Sequence, residues 1–581
     1  MLLPVQIYAM TNLDGLPKEI WIEISGWLGP SDILQLRLCN RSLCKKLSSR
    51  AIWRPRCYEK WLTHLQHDPF CIELKPKDHT WFYHYRFRNH IESRISKEIL
   101  NALASSEPYH ELFPRFVHYK PSHVIPLLHG VLKNGCLDGA ADKGTGMDIV
   151  TICHHLLMCM RHKHVYELIG QNEMEYVHDA ELMIFLRLSA MDSSFDLLLH
   201  HRDRVLRRVH SLVKLEWDEF IKLPATIRID RLVGYLMQAL NHNKPWPVGG
   251  PGQLYLEDFI LLRVYAGETQ GHPLLILAIV QTLASFYGVE TALCGSYLII
   301  RDPKLRAGET YLTISAEGNP KIFTKKRLVQ SLTRILNTSE GIVVNQILPS
   351  ILQPLAYKEL VSTIFRELLP LYNKSKWSAA PLPKNPPLYK QLYPHSRQPM
   401  SAEIVHYFTC VYKAYEMQSR IEMRISSLYA VAFKEVFRLV SRLYPGDYSY
   451  AAKLLHGRGV DFGEHLLKYD EWIFQLHSIA IESSDELGTF VSSTRDSYPM
   501  CVVGVRTFNN GNVYYTLMNY CGEFFVELSN NLQEYDAKGN QEVILEFLET
   551  SGFSDLGLVF SQLDRNDWKL IPNERIKKLL L

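Results

Sequence analysis

Cys153, His154, His155, Cys159, His162 and His164 form the cluster in this sequence whose side-chain types invite metal chemistry, because thiolate and imidazole are zinc's preferred ligands. The element that must carry them decides against it. On a helix from about residue 148 to 168, His155, Cys159 and His162 share one face, but the adjacent Cys153 and His154 diverge by ~100° and no second paired set follows. A partly buried helix without a metal is the expectation. Asn241 to Gly252 is rich in glycine and proline, yet no Gly-Lys-Ser/Thr follows and a proline stands where a phosphate cradle needs an amide, so it reads as a surface loop. The basic run His200 to Arg204 with Arg207, Arg208 and His210 could touch an acidic partner. Interspersed with Val205, Leu206, Val209 and Leu212, it reads more simply as the wet face of an amphipathic helix.

The chain of 581 residues, 47% hydrophobic and 22% charged, has the composition of a globular protein with room for about three or four domains. Its 64 basic and 61 acidic residues leave a formal charge of +3, too little for a global field that would select nucleic acid or a membrane. The first ten residues lack a charged leader pattern, and no segment offers ~18 uninterrupted apolar residues. No membrane span is expected. The eleven cysteines include no Cys-x-x-Cys, which suits reduced thiols in a cytoplasmic and/or nuclear protein.

Near the N-terminus the periodicity turns helical. Pro17 suits a first helical turn and Glu19 favours its dipole, while Ile20, Ile24 and Leu28 recur every four residues. Ser31-Asp32 is a natural cap for a second helix bearing Ile33, Leu34, Leu36 and Leu38. A segment of roughly fifty residues cannot bury that much apolar surface alone, so it asks for a partner or for the rest of the chain. Leu13-Asp-Gly-Leu16-Pro17 through Ile24, then Leu28, Pro30, Asp32-Ile33-Leu34, Leu36, Leu38 and Trp53, resembles the F-box. That resemblance implies docking onto the Skp adaptor of a cullin ubiquitin ligase. Leu16, Pro17, Ile20, Ile24, Ile33, Leu36 and Leu38 would contact the adaptor or set the helices that do.

Beyond Trp61 the pattern stays helical, with Ile95, Ile99 and Leu103 at four-residue spacing, then Ile149 to Leu168 and Ala180 to Leu199. Lys374 to Pro399 reads as a stiff, proline-rich connector. A long helical stretch from Ser401 ends at Tyr444-Pro445-Gly446-Asp447 before a helix at Tyr450 to Leu455, like a single tetratricopeptide-type hairpin. From Gly488 the period becomes two and strands are expected around Cys501 to Val505, Val513 to Met518 and Phe524 to Leu528.

Two further resemblances follow. Tyr255 to Arg263, the apolar run from Gly271-His272-Pro273 and then Tyr287-Gly288 resemble the core of SirB-type transglutaminase-like domains. In catalytic members a cysteine, a histidine and an acid form the triad, and here Pro273 or a neighbour, Ser296 and Ser315 stand at those positions, with Cys294-Gly295-Ser296-Tyr297-Leu298-Ile299 resembling the histidine-bearing strand. The resemblance therefore implies a degenerate, non-catalytic site; a substitute pairing of Cys294 with His272 is the alternative. Ser497-Tyr498, Cys501 to Gly504, Val513 to Leu517, Cys521-Gly522 and Asn531-Leu532 resemble the YccV domain, also called HspQ-like or hemimethylated-DNA-binding. With 8 basic against 15 acidic residues from Glu482 onward, a protein-binding barrel fits better than a DNA reader.

The three parts in this order are similar to the F-box only protein 21 family. The expected architecture is multidomain and mainly α, with a transglutaminase-like α+β core and a small C-terminal all-β YccV-like barrel. Its parts run 8–62 (F-box), 63–169 (helical linker region), 170–345 (transglutaminase-like), 346–480 (helical, with the connector and hairpin) and 481–581 (YccV-like). The resemblance implies a substrate-recognition subunit of a Skp-cullin-F-box ligase that brings an unknown protein substrate to ubiquitination, with no catalytic residue, cofactor or metal. A non-degradative Skp-bound adaptor is the alternative, and a cysteine-dependent hydrolase or transamidase the reading that the lost triad disfavours.

Overall fold

The computed structural model describes residues 15–71, 77, 80–105, 109–135, 146–171, 176–240, 254–302, 308–315, 319–377, 402–419, 435–436, 439–440, 444–455, 486–493, 496–507, 511–519, 524–550, 556–574 and 576–577. The proline-rich connector lies almost wholly outside them. The chain divides into two compact units, one of residues 1–102 with 118–130 and the other of 103–117 with 131–581.

The first unit opens with short helices α1 (Lys18–Trp27), α2 (Pro30–Cys39), α3 (Arg41–Leu47) and α4 (Arg50–Cys57), followed after a wide turn (Tyr58–Leu62) by the long α5 (Trp81–Ser105). Each start has a local cause. Pro17 precedes α1 in an extended conformation rather than inside its first turn. α2 begins at Gly29-Pro30, two residues earlier than the Ser31-Asp32 cap implied, because proline presets the first helical φ and the Asp32 carboxylate accepts from the Gly29 amide at 3.1 Å. Asn40 Oδ1 caps α3 by accepting from Leu43 N at 2.8 Å. The core joins Trp21, Ile33, Leu43, Leu47, Ile52, Trp53 and Trp61 to Trp81, Phe82 and Tyr85 of α5. A boundary at residue 62 therefore falls inside one packed cluster.

In the second unit, α6 (Met147–Gly170) is buried nearly all round, not partly. Several of its polar groups have internal partners: Cys159 Sγ donates to Gly446 O at 3.0 Å, His162 Nδ1 meets Asp447 at 2.7 Å, and the Tyr166 and Tyr407 hydroxyls bond each other. Arg161 pairs with Asp196 at the start of α7 (Phe195–Leu215), which replaces the expected 180–199 helix together with short turns before it. α8 (Ala225–Ala239) follows.

Next come α9 (Pro273–Phe286) and an antiparallel meander, β1 (Thr291–Cys294), β2 (Tyr297–Arg301), β3 (Glu309–Ile314) and β4 (Pro320–Thr324), with α10 (Lys325–Leu336) behind it. α9 is apolar nearly all round and packs on the first three strands, as a central buried helix should. α11 (Tyr357–Trp377) and α12 (Ala402–Ser419) lead to a Pro445–Asp447 turn and α13 (Tyr448–Leu455).

The C-terminal strands are β5 (Phe490–Ser493), β6 (Asp496–Thr507), β7 (Val513–Met518), β8 (Phe524–Leu528) and β9 (Leu532–Glu534), with α14 (Gln541–Thr550) and the hairpin β10 (Phe560–Asp564) and β11 (Lys569–Pro572) after them. Among the described residues the ladder runs β8-β7-β6-β5-β9, with no pairing between its ends, so an open sheet stands where a closed barrel was expected. Gly488 ties the sheet to the hairpin: its amide donates to Val502 O and its carbonyl accepts from Leu570 N, each at 2.9 Å. Its φ of +81° and the pressing Leu570 carbonyl leave no room for a β-carbon. Replacing Gly488→Ala is expected to destabilise the second unit by about 2–4 kcal/mol, read as an earlier midpoint in thermal or denaturant unfolding of the full chain.

Candidate functional site

The candidate site is the outer surface of α1 and α2. α1 sends Trp21 and Ser25 inward, and the face rotated away from them carries Ile20, Ile24 and Trp27 at spacings of four, three and seven. Trp27 is 92% exposed and Ile20 39%, while Ile24 packs half-buried on the core edge. On α2, Ile33 is fully buried, Leu34 and Leu36 lie half-buried on the core and Leu38 is 79% exposed. Leu16 is half-buried and its carbonyl accepts from Lys46 Nζ at 2.7 Å, whereas Pro17 is exposed.

The expected adaptor residues thus fall into three groups. Pro17, Ile20 and Leu38 are available to a partner, and Ile33 sets the helices from within, with Leu16, Ile24 and Leu36 between. Trp27 escaped the sequence reading because Ile20, Ile24 and Leu28 were followed as one stripe. The spacing of seven from Ile20 was the signal that could have found it.

This surface is held rigid from behind. Trp53 Nε1 donates to Leu47 O at 2.6 Å, and its ring lies 5.3 Å from Phe82 and 4.6 Å from Tyr85. The Arg37 guanidinium sits 3.4 Å over the Phe82 ring and donates to Ser48 Oγ at 2.9 Å, fixing α2 to α5. Arg56 reaches the carbonyls of Ser25 and Leu28 and so closes the C-terminal end of α1.

The other chemical candidates do not assemble. Cys153 and Cys159 are buried thiols whose ionisation burial disfavours, and no group of metal-ligating side chains able to hold an ion occurs among the described residues. Ser296 lies in the two-residue turn between β1 and β2, not on a strand, since Cys294 ends one strand and Tyr297 begins the next. Ser315 follows β3, where its amide donates to Asn319 O at 2.9 Å, and Pro273 is the first residue of α9. Burial pushes the Cys294 thiol up to about 12, and its cluster is Ile299, Tyr311, Leu328 and other apolar neighbours. His272 is engaged elsewhere, with Nε2 2.8 Å from Glu367 and its ring stacked on Phe259.

A family profile described as F-box domain matches residues 13–55, the segment that builds this surface. The chain carries an F-box domain. A relative among curated proteins is Mitochondrial distribution and morphology protein 30 of Saccharomyces cerevisiae, 26% identical over 604 aligned positions that span 98% of this chain and 96% of that protein. It is a mitochondrial distribution protein and not F-box only protein 21. No solved structure matches. Among the described residues no helix is long and apolar enough to cross a membrane.

Two histidines make the supporting unit sensitive to acid. Burial, with Arg88 adding to it, lowers His84 to about 4, and His123 is lowered to about 4 for the same reasons. Because the folded values lie below the ordinary value of 6.5, this stability is present above pH ~6.5 and is lost as the pH falls from there toward 4. Tryptophan fluorescence should show earlier thermal unfolding of the first unit across that window, and the doubly substituted His84→Gln, His123→Gln chain should show a flatter dependence. The thiols offer an independent check: native alkylation should label exposed Cys39 and spare Cys294 until the chain unfolds.

Proposed function

We propose that this chain is the substrate-recognition subunit of a Skp-cullin-F-box ubiquitin ligase. The observation that supports this most is the pair Trp27 and Leu38, 92% and 79% exposed on an F-box module whose interior is otherwise closed. Large apolar side chains held out by a packed scaffold are what a partner surface uses as anchors. The adaptor would cover them together with Pro17 and Ile20, and cullin would follow through the adaptor.

The second unit is the substrate receiver in this reading. Its degenerate transglutaminase-like layer of α9 and β1 to β3 and its YccV-like acidic C-terminal sheet offer protein-binding surface, with no nucleic acid expected. The yeast relative is named for mitochondrial distribution and morphology, which supports a target connected with that process. The chain works in cytoplasm or nucleus and supplies no nucleophile. It raises the local concentration of substrate lysines beside a ubiquitin-conjugating enzyme, and the chemistry belongs to that enzyme.

Capture of purified Skp adaptor by the full chain tests the docking. Trp27→Ala and Leu38→Ala are each expected to weaken capture by roughly tenfold or more with unchanged folding, while Ile33→Ala should lose about 2–5 kcal/mol of stability instead. Undiminished capture by the doubly substituted Trp27→Ala, Leu38→Ala chain would contradict the assignment. Deleting the chain in cells should lengthen the half-life of a trapped target; an unchanged half-life with adaptor binding intact would favour a non-degradative adaptor.

A further inference from the structure

Within the basic run on α7, Arg202 turns to the buried Glu181 at 2.6 Å, while the exposed residues are used neither by the core nor by the adaptor surface. His200, Arg204, Arg207, Arg208, Ser211 and Lys214 are exposed, and at 3.6 residues per turn they form one stripe opposite the buried Val205, Val209 and Val213. The stripe does not end in solvent-loving residues. Leu215 is 83% exposed, Trp217 just after the helix 46%, and Phe286 at the end of α9 70%. These aromatics are continuous with the stripe through its flank: the His210 ring lies 4.5 Å from Phe286 and 5.6 Å from Tyr287, and Trp217 lies 6.4 Å from Tyr287.

The acids nearby do little to neutralise the stripe. Arg231 holds Glu216 and Glu219 at 2.7 and 2.8 Å, Asp203 is half-buried, and Asp218 is the remaining exposed carboxylate of this turn. An ordinary solvated helix face intersperses both signs and exposes few large apolar residues. The stripe on α7 has one sign and a protruding apolar edge, and the exposed Glu216, Asp218 and Glu219 are confined to the turn beyond it.

We propose that this face docks on an anionic phospholipid surface. Arg204, Arg207, Arg208 and Lys214 would meet headgroup phosphates, and Leu215, Trp217 and Phe286 would enter the boundary between headgroups and acyl chains. A lipid surface suits the shape better than an acidic peptide. Side chains this exposed project outward from a helix and the turn beside it, whereas a peptide site surrounds its ligand's anchors with pocket walls. Tryptophan has an apolar body with one polar donor, which suits it to that boundary. The inference goes beyond the ligase reading and is independent of it, since it rests on α7, its following turn and α9 alone.

Co-sedimentation of the full chain with phosphatidylcholine vesicles, with and without about a third phosphatidylserine, tests it. The chain should sediment with the anionic vesicles, less so as salt rises. The triple variant Arg207→Ser, Arg208→Ser, Lys214→Ser and the double variant Leu215→Ala, Phe286→Ala should each bind at least about tenfold more weakly, with thermal midpoint and adaptor capture as in the parent. Equal binding to neutral vesicles, no binding to anionic ones, or a triple variant that binds like the parent would overturn the proposal. Capture of soluble polyglutamate without vesicle binding would assign the stripe to an acidic protein and overturn it equally.

Discussion

The first unit depends on a single aromatic joint. Trp53 from α4 and Trp61 from the wide turn after it close on Phe82 and Tyr85 of α5, all of them buried, with Trp61 5.1 Å from Tyr85. Each such side chain contributes about 1.5–3 kcal/mol by leaving water, which four helices of seven to ten residues could not obtain from one another. The joint satisfies the inward faces of α1 and α2 within the unit and leaves the outward face of α1 without an internal partner. An exposed apolar surface and a folding core are thus two sides of the same pair of helices, and the core fixes the angle at which the other side is offered.

The second unit solves a different problem around α6. A helix surrounded on all sides must find partners for its polar groups, since an unpaired buried group costs about 1–3 kcal/mol. Asp447 shows how: burial pushes its carboxyl up, and the hydrogen bonds from His162 and Tyr407 oppose that. The arrangement needs Gly446 beside it, because a β-carbon there would lie 3.0 Å from Cys159 Cβ and 3.3 Å from the Phe113 ring. Close backbone approach and buried polar pairing specify one packing of this turn against α6.

Much of this was legible in the sequence. Pro17, Glu19 and the spacing of Ile20 and Ile24 marked α1, the period-two pattern after Gly488 marked the C-terminal strands, and the run after Gly271 marked a central buried helix. What escaped had physical causes. In α1 and α2 apolar residues occupy more than one face, so periodicity alone could not separate Ile33, wholly inside, from Trp27 and Leu38, outside. α6 carries six Cys and His residues whose types suggested a half-wet surface, and only tertiary partners such as Asp447 and Gly446 make their burial tolerable. The expectation that Ser296 lies on a strand came from the resemblance of Cys294 to Ile299 to the histidine-bearing strand, whereas Gly295-Ser296, with Gly295 at φ +51°, makes a two-residue hairpin turn.

The wide turn at Tyr58–Leu62 carries a consequence for how this module tolerates change in length. Thr63 N donates to Tyr58 O, five residues back, so one residue more than an α-helical turn is accommodated just after Pro55 removes an amide from α4. That extra residue retards the helix by ~100° and brings the Trp61 indole to Glu92. Deleting any one residue of the turn would restore regular winding and swing Trp61 off α5, so this five-residue stretch cannot change in length without cost to the core.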